Sequence, residues 1–361
     1  MKNKTVHIIY SGLGGHFDYV FNLAQGMDAN TNTHFLFFGV EPVPDYYLAQ
    51  CQTAGISYSK VLKTGYGFKA TVQILKVLRK QKPALIYVHS NAAAVPARLY
   101  LFLRKAKLVM IEHHNNRLKT VKDHRRTVYA QRKFDRIIFL TKTHLDEARK
   151  NLQNDFNESK SVVIQTGLPA AYFNAPVQRK PGKAIIGMQS RLVPIKDHQT
   201  LICAFKGVVE KHPETELRIA GDGTEIERLK KLTADLELST HVHFEGMLPK
   251  TALIDWLGKL TVYVHATLGE TSSIALMEAL AQGLPIVASD VMGINDFLSS
   301  ETAILVPPKN ADMLQDAISL LLADEKKRSD LSENAFNFAV ANCSLQKMSA
   351  AYQQLEKDIL K

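Results

Sequence analysis

His265-Ala266-Thr267-Leu268-Gly269-Glu270-Thr271-Ser272-Ser273-Ile274-Ala275-Leu276-Met277-Glu278-Ala279-Leu280-Ala281-Gln282-Gly283-Leu284-Pro285 is the densest local signal in a chain of 361 residues. An apolar run, Leu260–His265, leads in, and a second, Pro285–Ala288, leads out. Ser272 or Ser273 suits an N-cap, because a short hydroxyl can accept a first-turn N–H, and the helix should run over Ser273–Gln282. Strand, loop, helix and strand in that order make a βαβ unit with parallel strands. Glu270 and Glu278 are separated by seven residues, so the first falls in the loop and the second well inside the helix. Ile274, Ala275, Leu276, Met277, Ala279 and Leu280 surround Glu278, and a carboxylate in so apolar a helix needs a partner. Helix N-terminal amides and serine hydroxyls can hold phosphate oxygens. A carboxylate ahead of the helix can accept bonds from sugar hydroxyls, and one inside it can chelate a ribose diol.

The same alternation extends in both directions. Downstream of residue 183, strands are expected at Ala184–Met188, Glu216–Ala220, Val242–Glu245, Leu260–His265, Pro285–Ala288 and Ala303–Val306, with helical stretches between them. Upstream, strands are expected at Thr5–Tyr10, Thr33–Val40, Ile56–Val61, Ala84–Val88, Lys107–Ile111, Arg136–Phe139 and Ser161–Gln165. Gly167–Lys183 has no period and carries Pro169, Pro176, Pro181 and Gly182, so it reads as a linker. The expected organisation is an α/β domain over 1–166, the linker over 167–183, a second α/β domain over 184–343, and a closing amphipathic segment, 344–361, crossing back to the first. Both domains read as Rossmann-like, doubly wound parallel sheets. Ligands in such sheets bind at the carboxyl ends of the strands, here in a cleft between the domains.

Three further segments carry possible chemistry. Arg191 and Lys196, in Ser190-Arg191-Leu192-Val193-Pro194-Ile195-Lys196-Asp197-His198, sit just beyond a strand and beside a helix start, where two fixed cations suit a diphosphate. Gly221-Asp222-Gly223 is a turn that lets a ligand approach, though common by itself. Ser11-Gly12-Leu13-Gly14-Gly15-His16 follows the first strand, and its glycines would let backbone N–H groups approach an anion. It is not a dinucleotide fingerprint, because Phe17 stands where the third glycine belongs. Trp256 reads as packing, and the alternating His241 and His243 as ordinary strand residues.

Composition narrows the classes. At 46% hydrophobic and 22% charged, the chain is globular. No apolar run approaches the ~18 residues of a membrane span, and the first ten residues read as a strand, not a signal peptide. Three widely spaced cysteines, Cys51, Cys203 and Cys343, argue for a reducing compartment and against a disulfide or zinc framework. Charge is uneven: residues 1–165 hold 25 Lys/Arg against 11 Asp/Glu, whereas 166–361 hold 20 against 24. A basic half suggests either a soluble solvated face or contact with a polyanion or an anionic membrane surface. No aromatic-interleaved basic module points to nucleic acid.

The order of the glycine turn, RLxxxK, GDG and E-x7-E followed by Gly283-Leu284-Pro285 resembles the retaining, nucleotide-sugar-dependent GT-B glycosyltransferases of family 4, over nearly the whole chain and most strongly over Ile186–Asp290. The resemblance implies the GT-B fold and the following roles. Arg191 and Lys196 grip the donor diphosphate, Glu278 holds the ribose, and Glu270 bonds hydroxyls of the transferred sugar. The amides of Ser272 and Ser273 touch sugar or phosphate, Gly221 lies against the donor, and the Gly246-Met247 backbone meets the base. Gly14 and Gly15 bring the first domain to the diphosphate. A site histidine is expected after a central strand, where Glu112-His113-His114-Asn115-Asn116-Arg117 offers His113 or His114. The chain departs from the family at Thr271 and Asp197, where glycine is common, which bears on loop shape and donor choice.

The implied reaction moves a hexose or N-acetylhexosamine from a nucleoside diphosphate sugar, UDP-sugar favoured over GDP-sugar, to a saccharide or lipid-linked hydroxyl. Retention implies front-face attack through an oxocarbenium-like state, with the diphosphate taking the proton. No Asp-x-Asp pair is present, so no metal or other cofactor is expected. The expected setting is the cytoplasm, peripherally on the cytoplasmic face of the inner membrane, with Lys76, Arg79, Lys80, Lys82, Arg104, Lys105 and Lys107 facing anionic lipid. A GT-B sugar-nucleotide epimerase and a non-catalytic binder of anionic ligands are the alternatives. A nicotinamide-dependent oxidoreductase built on the glycine turn leaves Arg191, Lys196, Glu270 and Glu278 unexplained.

Overall fold

The computed structural model describes residues 4–11, 16–27, 32–62, 67–113, 119–173 and 183–361. The chain divides into two compact units, one of residues 1–167 with 345–361, the other of residues 168–344. Gly14, Gly15, His114 and residues 174–182 of the expected linker lie outside the described residues.

The first unit is a seven-stranded sheet of β1 (Lys4–Tyr10), β2 (Asn32–Gly39), β3 (Ser57–Leu62), β4 (Leu85–Val88), β5 (Lys107–Glu112), β6 (Arg136–Phe139) and β7 (Ser161–Val163). Its order is β3-β2-β1-β4-β5-β6-β7, parallel throughout. β4 is wholly apolar and buried, and β1 and β2 bury Val6–Ile9 and His34–Phe38, because helices cover both faces of a parallel sheet. On one face Ile74, Leu78, Ala97 and Tyr100 of helices Phe68–Gln81 and Ala94–Tyr100 pack with Val6, Ile8 and Ile86. Helix His16–Gly26 packs with the last helix, Leu345–Leu360, which buries Met348, Tyr352 and Ile359 within this unit.

The second unit is a six-stranded parallel sheet of β8 (Ile185–Gln189), β9 (Glu216–Ala220), β10 (Val242–Gly246), β11 (Val262–His265), β12 (Ile286–Ser289) and β13 (Ala303–Val306), in the order β10-β9-β8-β11-β12-β13. Helices His198–Lys211, Ile226–Asp235 and Ala311–Ala323 fill one face of it, with Phe205, Leu229 and Ile318 fully or almost fully buried. Helices Lys250–Lys259, Ile274–Ala281 and Glu325–Asn342 fill the other, around Trp256, Leu280 and Ala335. Trp256 is therefore core. Part of the stretch expected to be linker is ordered into this unit: Leu168 bridges Ser344, and Gln282 Nε2 donates to Tyr172 O at 2.8 Å.

In both sheets the strand order turns around at the domain's first strand, between β1 and β4 and between β8 and β11. There neighbouring connections leave toward opposite faces and open a crevice at the strands' carboxyl ends.

Candidate functional site

The carboxyl end of β8 opens into the Ser190–Lys196 loop, which the turn after β9 holds in place. Ser190 N donates to Ala220 O at 3.0 Å and Leu192 N to Asp222 O at 2.9 Å. Gly221 has φ +134°, and a Cβ there would lie 1.9 Å from Ser190 O, so the approach requires glycine. Arg191 is exposed on this loop. Pro194–Lys196 forms a 3₁₀ turn, and Asp197 adopts a left-handed conformation with φ 38° before helix His198–Lys211. Ile195 O accepts from Leu268 N at 2.8 Å and from Thr267 Oγ1 at 3.0 Å, tying this loop to the one that carries Glu270.

That tie brings Lys196 onto Glu270, with Nζ hydrogen-bonded to Oε1. His265, at the end of β11 and fully buried, places Nε2 3.0 Å from the same oxygen and 3.2 Å from Ser273 Oγ. Its Nδ1 lies 3.4 Å from Tyr263 Oη. Burial alone would raise the Glu270 pKa. The Lys196 ammonium and the His265 hydrogen bond outweigh it and hold the carboxyl down at about 2. Glu270 is thus ionised and accepts from His265 Nε2–H. Burial also lowers His265, against the opposing pull of Glu270. His198, bonded to Ser190 Oγ at 3.0 Å, is lowered to about 3 by burial and the nearby Lys196, so it is neutral at pH 7. Ser273 is the N-cap, accepting from Leu276 N at 3.3 Å, and helix Ile274–Ala281 follows.

Glu278 is buried, and Gln189 Nε2 donates to its Oε2 at 2.6 Å. Ser272 Oγ and Gln189 Oε1 are buried without a hydrogen-bond partner among the described residues. Met247 follows the left-handed Gly246 at the end of β10 and is 66% exposed. The second unit therefore brings Arg191, Lys196, Gly221, Glu270, Ser272, Ser273 and Glu278 to the carboxyl ends of β8, β9 and β11, with Met247 at the neighbouring end of β10. Here a cationic, amide-lined helix start adjoins two buried carboxylates.

Residues 173–338 match the family model of glycosyl transferases group 1, and residues 13–172 match that of glycosyltransferase family 4. The chain belongs to the GT-B glycosyltransferases of group 1 and family 4. Among curated relatives of this chain is an exopolysaccharide phosphotransferase of Streptomyces coelicolor, 35% identical over 175 residues, or 48% of this chain and 18% of that protein. Another is the lipopolysaccharide core biosynthesis glycosyltransferase LpsE of Rhizobium meliloti, 29% identical over 191 residues, or 53% of this chain and 54% of LpsE. The matches thus span less than two thirds of either relative's length. Anabaena HepE, solved in complex with UDP and glucose, has the same fold: TM-score 0.85, 17% identity, 99% of this chain and all of that one covered.

His113, in the first unit, lies one residue past β5, apart in the chain from the residues above. Its strand end is fixed by a buried ion pair: Lys119 Nζ donates to Glu112 Oε2 at 2.8 Å, and Thr127 Oγ1 to the same atom at 3.1 Å. His89 Nδ1 lies 3.2 Å from His113 Nε2. Among the described residues no group of three or more His, Cys, Asp or Glu could hold a metal ion. Sequence reasoning missed Gln189, His265 and His89 as members of these networks. His265 did carry a signal, since a histidine ending an apolar strand five residues before Glu270 must find a partner when buried.

Proposed function

We propose that this glycosyltransferase moves a hexose or N-acetylhexosamine, with retention, from a UDP-sugar to a saccharide or lipid-linked hydroxyl in surface polysaccharide or glycolipid assembly. The observation that carries this reading is the cluster in which Lys196, Glu270, His265 and Ser273 share one hydrogen-bond network while Gln189 holds Glu278. The UDP and glucose bound by HepE and the lipopolysaccharide role in the name of LpsE support the donor and pathway class.

In this mechanism Arg191 and Lys196 neutralise the diphosphate as it leaves, which lowers the barrier where charge develops. The helix start at Ser272 and Ser273 adds oriented amides. Glu270 accepts from hydroxyls of the transferred sugar and Glu278 from the ribose, while the leaving phosphate takes the acceptor proton and no separate carboxylate base is required. Charge compensation by two side-chain cations makes a metal-independent reaction the expectation, tested by activity in EDTA with and without added manganese.

The membrane setting rests on the first unit. Lys76, Arg79, Lys80, Lys82, Arg104 and Lys105 are exposed, whereas Lys107 is half-buried and donates to Asp135 at 3.3 Å. Phe68 and Phe102 are 84% and 79% exposed, on or beside the two packed helices Phe68–Gln81 and Ala94–Tyr100. Exposed aromatics among cations suit an anionic bilayer surface. No described helix is long and apolar enough to cross a membrane.

Calorimetric titration of UDP, GDP and ADP into wild type and Glu278→Ala tests the donor site. UDP binding that weakens in the variant is expected, and no binding by any diphosphate would remove the assignment. Nucleotide release that requires an acceptor separates transfer from epimerisation.

A further inference from the structure

The first unit contains a chain of three imidazoles, of which only His113 has been assigned a place in the chemistry. His7 lies in β1, His89 one residue past β4 and His113 one residue past β5, and these three strands are neighbours in the sheet. His7 Nδ1 is 3.0 Å from His89 Nε2, and His89 Nδ1 is 3.2 Å from His113 Nε2. His7 and His89 are buried. The rings stack in sequence, with centroids 5.2 and 5.4 Å apart.

The surroundings restrain each ring. His7 stacks on Tyr87 at 4.8 Å, and Tyr87 Oη donates to Glu356 Oε1 at 2.8 Å. Tyr19 meets His113 edge-on at 5.1 Å, and its hydroxyl is bonded to that of Tyr352. Tyr352 and Glu356 both come from the last helix, so that helix braces the chain.

Each N···N contact needs one N–H and one lone pair. A neutral chain therefore has only two settings, and the tautomer of each ring dictates the next. Burial pushes His7 down to about 3, so the buried end of the chain is neutral. With Nε2 committed to His89, any ligand that His113 addresses must be met through Nδ1.

We propose that His89, oriented by His7, is a positioning residue for His113: the imidazole chain holds His113 in one tautomer and so fixes whether Nδ1 meets a substrate hydroxyl as donor or as acceptor. This rests on the reading of His113 as the site histidine of a sugar transferase.

Two near-isosteric substitutions in the full-length protein separate the contacts. His89→Asn keeps a polar atom near the position of Nδ1, facing His113. His89→Gln keeps one near Nε2, facing His7, and abandons His113. In long-range ¹⁵N imidazole spectra, wild type and His89→Asn should show His113 with one protonated and one bare nitrogen, whereas His89→Gln should show an averaged pair. Partners that orient metal-bound histidines cost about 10- to 100-fold when removed; taking the same scale for an orienting imidazole, kcat for transfer should fall by roughly that factor in His89→Gln, with donor KM within about twofold. His89→Asn should recover most of the rate. Unmoved His113 nitrogens in His89→Gln, or equal losses in the two variants, would overturn the proposal. Absence of transfer even in wild type would sink the transferase reading instead, and the nitrogen spectra would still decide whether the chain sets the tautomer.

Discussion

Replacing Lys196 by methionine removes the ammonium that Glu270 faces while keeping most of the side-chain volume. The two side chains are only 14% and 9% exposed, so solvent screens the pair little. Glu270 stands at about 2 instead of the ordinary 4.5 although its burial acts in the opposite direction. At about 1.36 kcal/mol per pKa unit, that displacement is roughly 3 kcal/mol, shared between Lys196 and His265. Broken buried pairs cost roughly 3–5 kcal/mol, so Lys196→Met should lose about 2–4 kcal/mol. The assay is urea unfolding followed by fluorescence of Trp256, the sole tryptophan, which lies in the core of the same unit. A lowered carboxylate pKa stabilises fully above the unfolded value and loses that contribution as pH falls through the folded one. The gap between wild type and Lys196→Met should therefore be full at pH 7 and narrow from about 4.5 downward. Lys196→Met/Glu270→Gln should regain most of the loss, because no uncompensated buried charge remains. If the double variant is as unstable as the single one, or the gap is independent of pH, the pairing is not what holds this loop.

Gly221→Ala should cost roughly 3 kcal/mol or more, since its methyl would meet Ser190 O at 1.9 Å with φ at +134°; a Trp256 unfolding midpoint within error of wild type would contradict the locked turn. Gln189→Leu removes the 2.6 Å hydrogen bond to Glu278 and should weaken UDP binding about tenfold or more by calorimetry, the weight of a hydrogen bond to a charged group. Arg104→Ser/Lys105→Ser should reduce partition to anionic liposomes about 30-fold, at about 1 kcal/mol per charge, and equal partition of both proteins would count against a membrane face. Transfer measured in EDTA should match that in buffer, and a rate restored only by manganese would show that the two cations are insufficient.

The apolar period and the start signals carried most of the fold. A serine cap was legible at Ser272 or Ser273, and it is Ser273 that accepts from Leu276 N ahead of Ile274–Ala281. Helix Ala311–Ala323 and strand β13 follow the pattern to the residue. The site was legible where charge and apolar context conflict, as at Glu278, whose buried helix demanded a partner. Which group answered that demand was not legible, because Gln189 is 89 residues away and meets Glu278 only through the β8–β11 adjacency. His7, His89 and His113 were invisible as a set for the same reason: they sit on three strands, and strand order is a property of the folded sheet. The linker's first residues misled because Pro169 and Gly167 punctuate a stretch that Leu168 and Tyr172 nevertheless anchor through their backbones.

The last helix has a consequence for biosynthesis. Residues 168–344 form an uninterrupted unit, whereas the unit that begins first also needs residues 345–361. Until residues 345–361 have been made the first unit lacks Tyr352 and Ile359, whereas the second already holds every residue of its own core. The N-terminal sheet must wait, partly covered, for a segment made after the whole second unit, and the face of helix His16–Gly26 on which that segment docks stays open to chaperones over that interval.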